Sequence, residues 1–167
     1  SIEHTDKQDY VWVGNYGRLR SATDNALINK GFEASQTLVR VPFEADKAYY
    51  PEDLEHYYLP KSSVGYYIGL EPALDVKNNR FVLRAKNSGD KLTYIKIYNF
   101  DKVRDLPVTG NVKLPGAITT FDKSGKVLTN QQPTFKAKDF SKLTPIHEFA
   151  VSGFPSQGVT FDNGIIY

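Results

Sequence analysis

The sequence predicts an all-β protein: an antiparallel β-sandwich or partly closed barrel of short strands with minimal helix. Three observations carry that expectation. Two alternating runs within residues 78–100 flank the polar break Asn87-Ser-Gly-Asp, a strong hairpin signal. Turn signals made of Gly, Pro, Asn and Asp recur about every 8–12 residues, the spacing of sandwich and barrel strands. The chain also carries 11 Tyr and 10 Phe, side chains that strands favour.

The hairpin can be set in register from the sequence. A loop at residues 87–91 puts Phe81 opposite Ile97, Leu83 opposite Ile95 and Ala85 opposite Thr93. Directly opposed residues in an antiparallel pair share a face, so this face is apolar and is expected to look into the core. The other face then pairs Arg84 with Tyr94 and Arg80 with Tyr98. Such cation–aromatic contacts are worth roughly 0.5–1 kcal/mol each when exposed. A sheet with one apolar face requires a second layer to cover it, and the remaining strands are expected to supply it.

Taken in order, residues 1–9 are polar and charged and are expected to form a disordered or tag-like end. Residues 10–167 are expected to be a single β-rich domain. Tyr10-Val-Trp-Val-Gly reads as a first strand. Residues 18–30 place Leu19, Ala22, Ala26 and Leu27 at helical spacing, while Asp24 and Asn25 leave an irregular crossing loop equally open. Gln36-Thr-Leu-Val-Arg-Val-Pro-Phe is the next strand, with Pro42 at an edge or at its end because proline cannot donate to a ladder.

Residues 46–60 are an acidic, tyrosine-rich insert bounded by prolines. Its Pro51-Glu-Asp-Leu-Glu suits one helical turn, with Pro at the first position and acids at the positive end. Val64-Gly-Tyr-Tyr-Ile-Gly-Leu reads as a glycine-interrupted strand, and residues 71–79 as a turn before the hairpin. Residues 101–114 alternate short extended pieces with Pro and Gly. Ile118-Thr-Thr-Phe-Asp-Lys-Ser-Gly-Lys-Val-Leu and Val159-Thr-Phe-Asp-Asn-Gly-Ile-Ile-Tyr share a strand–turn–strand form, and Asn163-Gly164 is the best two-residue hairpin turn in the chain. Residues 134–140 and 147–151 complete about eight to ten strands.

Composition narrows the function classes. A chain of 167 residues can bury a core without staples. A net charge of +2 with scattered basic residues leaves no footprint for nucleic acid. No run approaches the ~20 apolar residues of a membrane helix. The absence of Cys removes disulfides, thiolate metal sites and cysteine nucleophiles. The absence of Met, together with no oxidisable sulfur, fits an exported domain relieved of a signal peptide, and fits a piece of a larger protein equally well. The expected location is secreted or cell-surface.

The motifs of chemistry are sparse. His4, His56 and His147 do not stand at a metal-ligand spacing, and no metal is expected. Glu55-His56-Tyr57-Tyr58 contains residue types that serve as axial haem ligands, although a solvated histidine on an acidic loop is the plainer reading. There is no Gly-x-Ser-x-Gly elbow, P-loop or calcium loop. A hydrolase would need a site assembled from scattered residues, such as His147 with a serine and an acid.

What stands out is aromatic surface. Tyr49, Tyr50, Tyr57, Tyr58, Tyr66 and Tyr67 cluster, and neighbouring tyrosines in a strand point to opposite faces. Tyr offers large contact area at little entropy cost. The expectation is therefore a non-catalytic binding or adhesion module with no cofactor. Its ligand-binding residues would be Tyr49, Tyr50, His56, Tyr57, Tyr58, Tyr66, Tyr67 and His147. Its partner would be a protein or glycan ligand, with attachment to a cell surface, no nucleic acid and no membrane span.

The segment Lys77-Asn-Asn-Arg-Phe-Val-Leu-Arg-Ala-Lys-Asn-Ser-Gly-Asp-Lys-Leu-Thr-Tyr-Ile-Lys-Ile-Tyr-Asn-Phe resembles the late hairpin of HmuY-like haem-binding lipoproteins. Those are all-β outer-surface haem carriers of Gram-negative anaerobes. The resemblance spans about a seventh of the chain. It implies, as an alternative, a haem or other small-ligand carrier using His56 or His147 with a nearby Tyr. The family's tryptophan-containing early strand motif is missing. Residues 101–167 also follow the hairpin here, where that family is nearly finished. Its axial ligands do not map residue by residue.

Overall fold

The computed structural model describes residues 1–14, 37–47, 49, 54–65, 67–113, 118–121, 124–131, 134–153, 159–162 and 164–167. In chain order the strands are β1 (Ile2–Glu3), β2 (Tyr10–Gly14), β3 (Thr37–Pro42), β4 (Glu55–Tyr58), β5 (Tyr67–Asp75), β6 (Arg80–Asn87) and β7 (Thr93–Asn99). A short helix α1 (Phe100–Arg104) follows. Then come β8 (Val108–Lys113), β9 (Ile118–Phe121), β10 (Val127–Gln131), β11 (Thr134–Asp139), β12 (His147–Val151), β13 (Phe161–Asp162) and β14 (Ile165–Ile166). The fold is all-β and open: two sheets face each other and neither closes into a barrel. The described residues form fourteen strands, more than the eight to ten read from the sequence, and three of them, β1, β13 and β14, are only two residues long.

Of the two main sheets, one has six strands in the order β1-β2-β3-β4-β11-β8 and the other four in the order β12-β7-β6-β5, while β9 with β10 and β13 with β14 form separate two-stranded hairpins. Among the described residues, every pairing is antiparallel except β4 with β11. The sheets meet over an aromatic core. Trp12, Leu38 and Tyr57 come from the larger sheet, and Leu70, Phe81, Leu83 and Tyr98 from the smaller. Trp12 meets Phe81 edge-on at 5.1 Å between ring centres and Tyr57 at 4.8 Å. Helix α1 closes one side of this core with Phe100 and Val103, both buried. No helix among the described residues is long and apolar enough to cross a membrane.

The hairpin lies where expected, but its register differs by one residue. Phe81 opposes Tyr98, Leu83 opposes Lys96, Arg84 opposes Ile95 and Ala85 opposes Tyr94. The loop is the cause. Asn87 stays in the ladder, its amide donating to Leu92 O at 2.8 Å. Four residues, 88–91, then make the turn, with Asp90 accepting from the Leu92 amide at 2.9 Å and Lys91 left-handed at φ 64°. The sheet consequently has no solvent face over most of β6: residues 81–85 are all buried. Phe81, Leu83 and Ala85 face the large sheet. Val82 and Ile95 face the other way, where with Ala73 they are covered by Val159, Phe161 and Ile166. Arg84 is not an exposed partner of Tyr94; it is 2% exposed and 3.0 Å from Glu71 on the neighbouring strand.

The turn also needs Gly89. A Cβ there would lie 1.7 Å from Val64 O, so the loop backbone rests directly on the chain entering β5. Buried Asn87 pins the same contact, accepting from the Gly89 amide at 2.8 Å and donating to Ser62 Oγ at 2.9 Å.

Several local expectations give way to tertiary structure. Ile2 and Glu3 are not a frayed end, because β1 pairs with β2 and Glu3 is 1% exposed. Its carboxylate accepts from Trp12 Nε1 at 2.9 Å and from Arg40 Nε and Nη2 at 2.8 and 3.0 Å, so buried donors hold the terminus down. The supposed insert contains a central strand: β4 lies between β3 and β11. Residues 71–75 continue β5 instead of turning. A bulge at left-handed Gly69 (φ 61°) resets the register, and Pro72 is tolerated because β5 is an edge strand. Pro42 ends β3 as expected. The helical spacing at residues 18–30 and most of the helical turn at residues 51–55 lie outside the described residues.

Candidate ligand-binding cleft

A cleft of about 480 Å³ opens where two turns meet, lined by Asp75, Asn78, Arg80, Phe161 and Gly164. The first turn joins β5 to β6. Asp75 ends β5, and its carboxylate accepts from the Asn78 amide at 3.2 Å and from Asn78 Nδ2 at 2.7 Å. This is the local side-chain bonding that makes Asp and Asn turn residues. The Asn79 amide donates to Val76 O at 3.1 Å and Asn79 is left-handed at φ 55°, a conformation asparagine tolerates. Arg80 opens β6 directly opposite Asp75. Its Nη1 donates to Asn78 O, Asn79 O and Asn99 Oδ1, each at 3.2 Å, which fixes the guanidinium beside the turn.

The second turn belongs to the C-terminal hairpin. Asp162 opposes Ile165, leaving two residues for the turn, and Gly164 takes φ 83°. This is the Asn163-Gly164 hairpin expected from the sequence, although Asn163 itself lies outside the described residues. Phe161 serves two purposes: it packs against the Ala73–Val82–Ile95 cluster and lines the cleft. The apolar residues that seat the hairpin on the small sheet thus also position one wall of the cleft.

The residues singled out by sequence do not gather there. Tyr57 is 0% exposed and is a core ring. Its hydroxyl donates to Glu55 Oε2 at 3.1 Å, and burial, reinforced by the Glu55 charge, holds its pKa far above the usual phenol value. Tyr67 is 6% exposed and stands edge-on to Tyr94, with Lys96 Nζ 5.3 Å from its ring. His56 is 4% exposed, on the face of β4 away from the inter-sheet core, opposite Val39. Tyr58 shares that face and is half-buried, as is Tyr49 beside Lys47. Tyr50 and Tyr66 lie outside the described residues. His147 is exposed at the start of β12, on the other sheet from His56. The alternation that separates adjacent tyrosines is real, with Tyr57 inward and Tyr58 outward. It places the first of them in the core because β4 is a central strand.

A second polar group runs across the large sheet. Arg40 bridges Glu3 and Glu55, the latter at 3.5 Å, and Lys138 Nζ reaches Glu55 Oε2 at 3.2 Å. Burial alone would lower the Arg40 pKa, but the bond to Glu3 and the charges of Glu3 and Glu55 raise it. Its guanidinium carbon lies 3.4 Å from the centre of the Tyr10 ring. These groups satisfy one another and hold β1, β3, β4 and β11 together. Among the described residues, no three His, Asp or Glu side chains converge on a common metal position.

Sequence reading missed every residue of the cleft. The signals were present as turn chemistry: Asp-x-x-Asn before β6, and Asn-Gly near the C-terminal end. Only the packing of the hairpin on the small sheet brings the two turns together. No family model, curated protein or solved structure matches this chain.

Proposed function

We propose that the protein is a secreted or cell-surface binding module without catalysis, and that the cleft between residues 75–80 and the C-terminal hairpin is its ligand contact. One observation carries the reading. Asp75, Asn78, Arg80 and Phe161 combine a charged acceptor, an amide, a charged donor and a ring around one concavity. Ligand sites owe their orientation and specificity to a small number of placed polar groups, and here such groups predominate beside one ring. The proposed contact replaces the tyrosine-rich segment, because Tyr57 and Tyr67 are used in the core.

The test is a side-by-side screen of the wild-type protein, Asp75→Ala and Arg80→Ala on printed glycan and peptide arrays. Ligands retained by the wild type and lost by both variants are expected. A set of bound ligands unchanged in both variants overturns the assignment of the cleft. Antibody labelling of intact source cells or recovery from the medium is expected; confinement to the cytoplasm overturns the proposed location.

A further inference from the structure

We propose, building on the cleft as the ligand contact, that its ligand is a neutral saccharide. Electrostatics point away from charged ligands. Asp75 and Arg80 face each other across adjacent strands and both line the cleft. An anion would meet the carboxylate and a cation the guanidinium, so neither gains without opposition. A neutral polyol is served by both, because each hydroxyl donates and accepts a hydrogen bond.

The bonding around the site supports this. The Asp75 carboxylate already accepts two bonds from Asn78, which fix its orientation, and a carboxylate offers about four acceptor positions. The hydrogen bonds that Arg80 makes among the described residues come from Nη1, and its Nη2 and Nε also carry donor hydrogens. A vicinal diol can donate from one hydroxyl to a carboxylate while the other accepts from a guanidinium. Phe161 supplies the remaining element. Sugar rings carry an apolar C–H face, and an aromatic ring is the side chain that such a face covers with least entropy loss. Gly164 serves the turn by its left-handed φ of 83°, and the space around it is open, since a Cβ there would meet nothing within 4 Å. With one ring among three polar side chains, the cleft is too polar for an apolar ligand.

The experiment is an amide-resolved NMR titration of the whole protein. Its probes are neutral trisaccharides of glucose, mannose, galactose and N-acetylglucosamine, a sulfated trisaccharide and a lysine-rich peptide. Saturable shifts confined to residues 75–80 and 159–167 are expected with at least one neutral sugar. Asp75→Asn is expected to weaken that binding at least about tenfold, the usual effect of losing a hydrogen bond to a charged group. Phe161→Leu, which keeps apolar volume over Val82, is expected to weaken it while leaving shifts elsewhere in place. Saturable binding of only the sulfated sugar or the peptide at the same residues overturns the saccharide inference and leaves the cleft as a binding site. No saturable shift from any probe overturns the saccharide inference. Shifts confined to other surfaces overturn both readings.

Discussion

Replacing Glu3 by Ala tests the most consequential interaction at the start of the chain. The Glu3 carboxylate is buried and accepts from Trp12 Nε1 and from two nitrogens of Arg40, itself 8% exposed. Breaking a buried ion pair by removing one partner costs roughly 3–5 kcal/mol, because the other charge stays buried. Glu55 lies 3.5 Å from Arg40 and offsets part of that loss, but its side chain is 44% exposed and its charge is screened. The expected loss is therefore near the lower end, about 3 kcal/mol. With a urea slope of about 2 kcal/mol per molar, the unfolding midpoint should fall by about 1.5 M. The double variant Glu3→Ala/Arg40→Met should recover part of the loss, since replacing both charges is milder than stranding one. A midpoint shift below about 0.5 M, or a double variant whose loss equals the sum of the two single losses, would refute the reasoning.

Two further outcomes follow from particular residues. Gly89→Ala would set a methyl against the Val64 carbonyl and should lose at least about 1–3 kcal/mol. Its thermal midpoint should drop by roughly 3–10 °C; an unchanged midpoint would contradict the close approach. Arg84→Ala should cost about 3 kcal/mol by leaving Glu71, 16% exposed, beside a lost charge. A cost within about 0.5 kcal/mol, as for a surface arginine, would favour the register with Arg84 outward.

Alkaline pH should weaken the fold. Burial raises the pKa of Tyr57 and of Tyr98, and the bond to Asp90 pushes that of half-buried Tyr94 up to about 12. Raised folded values mean that the unfolded phenols ionise first. This contribution is whole below the ordinary value of 10.0 and is lost as pH rises past it towards the folded values. Urea midpoints should fall between about pH 8 and about pH 11, and fall less in Tyr57→Phe; equal midpoints in the wild type would refute this.

Much of the architecture is legible in the residues themselves. The alternation around Asn87-Ser-Gly-Asp marks β6 and β7, Asn163-Gly164 marks the last turn, and Tyr10-Val-Trp-Val-Gly marks the strand that carries Trp12. These are local signals, because side-chain period and turn geometry act over a few residues. Which faces are buried is not local. Arg84 looked like a solvent residue until Glu71 on β5 faced it and the C-terminal hairpin covered the second side of the small sheet. Glu3 looked like a tail residue because its partners, Trp12 and Arg40, are 9 and 37 positions away.

The tyrosines show the same division. Composition alone establishes that there is aromatic surplus, and alternation establishes that Tyr57 and Tyr58 separate. That Tyr57 is the ring consumed by the core follows from β4 lying between β3 and β11, and β11 begins more than seventy positions later. The cleft is wholly tertiary. Asp75 and Phe161 each sit in an ordinary turn or strand context, and only apolar burial of Val159, Phe161 and Ile166 on the small sheet sets them around one concavity. Short-range sterics and hydrogen bonding therefore decided where strands and turns occur, whereas long-range apolar burial and ion pairing decided which of their side chains meet.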